Sequence, residues 1–99
     1  VLDIRFSGFD WDEFNRTKIF TKHGIAQEDI EHALCNRLVL DEDKVHSVQE
    51  PRLAALGRDR LGRMLFVVFT LRFKENEVLA RPISARRMHQ KELMRHENI

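Results

Sequence analysis

Seven cationic side chains and one carboxylate are the residues of this chain whose chemistry can be joined: Lys22, His23, Arg52, Arg72, Arg81, Arg86 and Arg87, with Glu50. Such a set suits RNA cleavage by attack of a ribose 2′-hydroxyl on the adjacent phosphorus. That reaction needs a base for the hydroxyl, cations on the phosphorane oxygens and an acid for the leaving oxygen, and it needs no metal. Glu50 or His23 is the candidate base. Arginine is the better stabiliser, because its planar fork matches two phosphate oxygens. Taken singly, each arginine reads more simply as a surface residue or as a partner of one of the sixteen acidic groups. Their gathering at strand ends favours a site.

Other chemistries find less support. The chain has five histidines, but His32 with Cys35 offers only two metal ligands at helical spacing, short of the three or four a tetrahedral site needs. Ser84 lies beside arginines with no local base, so acyl chemistry is not expected. No metal and no cofactor is expected. The one cysteine, Cys35, cannot form an internal disulfide and is expected to be a buried structural thiol.

The elements that must position these residues follow from periodicity. Met64 to Leu71 is a nearly unbroken apolar run, expected as the central strand of a sheet covered on both faces. A polar turn over Arg72 to Asn76 leads to a second strand from Glu77 to Ala85, in which Pro82 marks an edge or a bulge. Ser84 is expected to open the last helix, placing Arg81, Arg86 and Arg87 where strand passes into helix, beside N-terminal amides that favour anions. That helix is expected over Met88 to Asn98.

Earlier in the chain, Leu2 to Phe6 alternates as a half-buried strand. A first helix is expected from Asp10, with Phe9 and Phe14 as a staple, with Trp11, Phe14 and Ile19 as its apolar side, and with Gly24 as a left-handed cap after His23. A second helix, Ile25 to Asn36, buries Ile30, Ala33 and Leu34 behind a poor N-cap, Ala26. Leu38 to Leu40 reads as a short strand and Asp41 to Pro51 as a loop. Arg52 to Gly57 with the turn Asp59-Arg60-Leu61-Gly62 gives another hairpin. The order predicts an α+β domain with a largely antiparallel sheet, two N-terminal helices packed on it and a C-terminal helix.

Ninety-nine residues suit one domain, 1–99, with one site or one interface. No window approaches a membrane span, and a cytoplasmic location with no membrane partner is expected. Residues 1–56 carry 7 Lys+Arg against 11 Asp+Glu, and residues 57–99 carry 10 against 5. The basic second half can attract a polyanion or an acidic protein.

The segments Phe9-Asp10-Trp11-Asp12, Lys22-His23-Gly24-Ile25, Glu50 with Arg52, Gly57-Arg58, Leu65 to Thr70, Arg72 and Ile83-Ser84-Ala85-Arg86-Arg87, closing with Glu92 and Glu97, resemble the BrnT family of bacterial toxins. The resemblance implies a RelE-like ribonuclease toxin neutralised by a BrnA-like antitoxin, which alone meets operator DNA. Residue by residue it points to Lys22, His23, Glu50, Arg52, Arg72 and Arg86 as catalytic. Arg81, Arg87 and Lys91 are expected to hold the RNA substrate, and the antitoxin is expected to dock across the basic half. Here Pro51 stands between the acid and the arginine, where the family commonly reads Gly-Glu directly ahead of the arginine. The alternative is a catalytically inactive module of the same fold that binds an antitoxin or RNA.

Overall fold

A computed structural model describes residues 4–43, 50–89, 91 and 92. The elements run β1 (Gly8–Phe9), α1 (Glu13–His23), α2 (Gln27–Cys35), β2 (Arg37–Glu42), β3 (Leu53–Arg58), β4 (Met64–Lys74) and β5 (Glu77–Arg87). The fold is α+β. Five strands form one sheet in the order β1-β5-β4-β3-β2, antiparallel except where β1 lies parallel to β5. Both helices pack against this sheet, α1 on β5 and α2 on β3 and β4.

The apolar run is the middle strand, as expected, but among the described residues the helices cover one of its faces and not both, because Phe66 and Val68 line a surface hollow on the other. Leu65, Val67 and Phe69 of β4 join Leu53 and Ala55 of β3 and Ile19, Ile30, Ala33 and Leu34 of the helices in one core. Gly57 is required by close approach, because a Cβ there would lie 2.0 Å from the carbonyl oxygen of Ala33 on α2. The β3–β4 turn closes with the Gly62 N–H donating to the Asp59 carbonyl at 3.0 Å. Burial pushes the Asp59 carboxyl up, but hydrogen bonds from the Arg63 and Leu61 backbone N–H groups and the Arg63 guanidinium outweigh it and leave the group below the usual carboxylate range.

The turn expected over Arg72 to Asn76 is shorter. Arg72, Phe73 and Lys74 still pair with Leu79, Val78 and Glu77, and only Glu75 and Asn76, at φ 49° and 67°, make the bend. Pairing then shifts between Val68 and Phe69, whose partners are Ser84 and Pro82, so Ile83 is the extra residue of a bulge. Ala80 and Pro82 face the helices before the bulge and Ala85 faces them after it.

Several boundaries differ from expectation. Ser84 opens no helix: Ser84 to Arg87 pair with Val68 to Leu65, and the ladder keeps them extended. Ile4 to Phe6 are irregular, and the first strand is Gly8–Phe9, held by β5. The cap of α1 is Asp12, not Asp10, because Asn15 three residues on completes a reciprocal capping box. Phe14 and Cys35 are exposed, not buried. The α2 cap, Ala26, makes no side-chain hydrogen bond, as its type implies. Of the expected C-terminal helix, Met88 and His89 are irregular, Lys91 and Glu92 are helical, and residues 90 and 93–99 lie outside the described residues, as do residues 1–3 and 44–49.

Candidate active site

Alternation along the strands sorts the charged side chains by face. Thr70 and Arg72 of β4 face away from the helices, as do Arg52, Ala54, Phe66, Val68 and Ser84, which share a hollow of about 590 Å³ with Asp41 to Asp43. The bulge at Ile83 brings Arg86 to this open face as well. Without that extra residue the alternation from Arg81 would turn Arg86 toward the core.

At one end of the face, the Arg72 guanidinium donates to the Glu50 carboxylate. Glu50 is held there through its neighbour, since the Thr70 hydroxyl donates to the Pro51 carbonyl at 2.8 Å. Pro51 therefore does not turn the acid away from the arginines. A hollow of about 460 Å³ opens beside the pair at the end of the sheet, lined by Glu50, Pro51, Thr70 and Arg72 and by Leu53, Leu71 and Phe73 from the helix-facing side of the strands.

At the other end, Arg86 donates to both oxygens of Glu92 at 2.7 and 2.8 Å and lies 4.9 Å over the Phe66 ring. The hydrogen bond from Arg86, joined by one from the His89 backbone, pulls the Glu92 carboxyl down to about 2. Arg86 sits opposite Phe66, six residues along β4 from Arg72, roughly 20 Å at the rise of a strand. The two arginines are thus two stations on one face.

Arg81 is tied to the start of α1, 3.0 Å from Asp12 and 3.6 Å from Asp10, and Lys74 meets Asp10 at 3.2 Å. Lys22 and His23 occupy the last turn of α1, ended by Gly24 at φ 66°. They belong to the helix-covered side, where Arg87 donates to the His23 carbonyl at 3.3 Å. Arg86 and Arg87 therefore point to opposite faces. Glu50, Arg52, Arg72 and Arg86 share the open face, Lys22, His23 and Arg87 do not, and Lys91 is exposed near Glu92. Glu92 and Thr70 act on this face without having been singled out as site residues. The acid six residues after Arg86 was the available signal for the first, and the second had none.

Residues 11–92 match the family model described as ribonuclease toxin, BrnT, of type II toxin-antitoxin system. The chain belongs to this family. Its match covers both arginine stations, and membership brings with it an antitoxin as partner. Comparison with curated proteins finds no match. Among the described residues of this BrnT family member, no group of three or more His, Cys, Asp or Glu is placed to hold a metal ion, and no helix is long and apolar enough to cross a membrane.

Proposed function

We propose that this BrnT family member is a RelE-like endoribonuclease of the cytoplasm that cleaves RNA without a metal and is held inactive by a BrnA-like antitoxin, through which alone it meets operator DNA. The observation that carries this reading is the contact between Glu50 and Arg72 beside an open hollow, with Arg52 on the same face. Glu50 takes the proton of the ribose 2′-hydroxyl. The 2′-oxygen then bonds to phosphorus while Arg72 and Arg52 donate to the non-bridging oxygens. The bond to the 5′-oxygen breaks, and that oxygen takes a proton from solvent. The products are a 2′,3′-cyclic phosphate and a 5′-hydroxyl. Arg86 serves a phosphate farther along the strand, where Phe66 supports its guanidinium. Lys22, His23 and Arg87 stand on the covered side, where they act on RNA only if the strand wraps the edge of β5.

A second reading, an inactive module of the same fold, draws on the fact that Arg72, Arg81 and Arg86 already meet carboxylates of the chain itself. One assay separates the two. The purified protein in EDTA should convert labelled RNA to fragments ending in a cyclic phosphate, and Arg72→Ala should lower the rate about 10²-fold. Cleavage that stops in EDTA and returns with magnesium overturns the mechanism, and a parent protein without cleavage supports the module.

A further inference from the structure

The first helix turns its largest apolar side chains away from the protein. Its inward side holds Asn15 and Ile19, while Phe14 and Phe20 are 71% and 58% exposed. At about 100° per residue these two phenylalanines flank Thr17 and Thr21 on the solvent side. A shallow hollow of about 600 Å³ runs along Glu13, Phe14, Thr17, Lys18 and Thr21. Scattered exposed apolar residues are ordinary, but Phe14 lines this hollow and Phe20 stands beyond Thr17 on the same solvent side, and two such rings on one short helix mark a surface that something covers.

The charge around the stripe narrows the occupant. Between Glu13 and His23 the helix carries Arg16, Lys18 and Lys22 against Glu13 alone; Arg16 lies 3.5 Å from Glu13 and donates to Gln27, and the Lys18 ammonium lies 5.9 Å over the Phe14 ring. A partner that suits it presents apolar residues with Asp or Glu beside them. Membership of a toxin-antitoxin family supplies a protein partner. We propose that the antitoxin docks on the solvent face of α1 through an amphipathic helix, its apolar stripe on Phe14 and Phe20 and its flanking carboxylates on Arg16 and Lys18. The groove suits a helix because Glu13 to Thr21 spans about 12 Å, and side chains at helical spacing fall along such a stripe.

RNA is the poorer occupant. Phe14 and Phe20 lie about 120° apart around the helix, too divergent to stack successive bases, and Lys18 already covers one ring. This inference rests on the antitoxin part of the proposed function and is independent of the cleavage mechanism. It moves the docking surface from the basic second half of the chain to a locally basic helix in the acidic first half. It also places that contact on the side of the sheet away from the Glu50–Arg72 pair.

The test titrates the full chain with the purified antitoxin encoded beside it. Phe14→Ser with Phe20→Ser should raise Kd about 30-fold or more. Lys18→Glu should slow association at low salt. Phe73→Ser, which alters an equally exposed ring near the β4–β5 turn, should change neither. All these side chains are exposed, so melting temperatures should match the parent. The inference is overturned if the double variant binds the antitoxin like the parent. It is equally overturned if the parent forms a dimer through these rings, or if the double variant loses only binding of a short labelled RNA. Binding is read without cleavage, so an inactive parent that needs Phe14 for the antitoxin sinks the mechanism and keeps the docking surface.

Discussion

The two faces of the sheet use the same alternation for opposite ends. On the covered face Leu53, Ala55, Leu65, Val67 and Phe69 meet the helices, and each position is decided by volume. On the open face Arg72 with Glu50 and Arg86 with Glu92 form partly exposed pairs, and Arg52 lines a hollow on the same face. Partly exposed pairs contribute little to stability, so selection for folding alone does not require them. A change on the covered face should therefore act through folding, and one on the open face through chemistry.

Gly57→Ala presses this contrast hardest. Its Cβ would meet backbone of α2, which cannot yield as a flexible side chain does, and the variant should lose about 3 kcal/mol of stability. The molecules that remain folded should cleave RNA at the parental rate. A variant that melts like the parent would show that α2 is free to shift, and the covered face would lose its claim to tight packing.

Arg86 and Arg87 make the contrast with adjacent residues. Arg86→Ala should weaken RNA binding about 10-fold or more and lower cleavage at limiting RNA by the same factor, the size expected when a charged hydrogen bond to a phosphate is lost, with about 1 kcal/mol or less of stability lost because its pair with Glu92 is partly exposed. Arg87→Ala should change cleavage little. Rates and melting curves of both proteins decide it, and equal loss of activity in the two would remove the distinction between faces.

How much of this was readable from the chain depends on the range of the interaction. Met64 to Leu71 was legible as the middle strand from its apolar run, but cover on both faces was not: among the described residues the helices meet Leu65, Val67 and Phe69, while Phe66 and Val68 face the open side. Gly24 and the burial of Ile30, Ala33 and Leu34 follow from local spacing. The start of α1 was misplaced by two residues because Asp10 and Asp12 carry the same carboxylate. Only the partner Asn15 for Asp12 and Lys74 for Asp10 tells them apart, since Arg81 meets both. The strand character of Ser84 to Arg87 depends on Val68 to Leu65 across the sheet, and a local helix signal cannot register it. The shared site was half legible: the arginines stand out by type, but the faces taken by Arg86 and Arg87 depend on the bulge at Ile83.

Gly24→Ala is a smaller test, confined to the covered side. Nothing lies within 4 Å of the added Cβ, so its cost is that of a left-handed conformation, about 1 kcal/mol. Thermal unfolding should show this loss. If cleavage by the folded protein falls as well, His23 just before it contributes to chemistry from the covered side, and the two faces are less separate than the strands suggest.

The smallest effect concerns Glu92 and appears only with pH. Its carboxyl lies at about 2 in the folded protein, chiefly through the hydrogen bond from Arg86, against an ordinary value near 4.5. A group depressed on folding adds stability that is fully present above its unfolded value and is lost as pH falls through its folded value. Stability contributed by Glu92 should hold above about pH 4.5 and fade toward pH 2. Glu92→Gln, which keeps the shape and removes the charge, should differ from the parent in melting temperature above pH 4.5, and the two curves should converge toward pH 2. At neutral pH the same variant releases Arg86 from its carboxylate, so RNA binding should tighten while stability falls slightly. A gap between the curves that stays constant down to pH 2 would mean that the pair is not what Glu92 contributes, and Arg86 would then not be shared between a carboxylate and a phosphate.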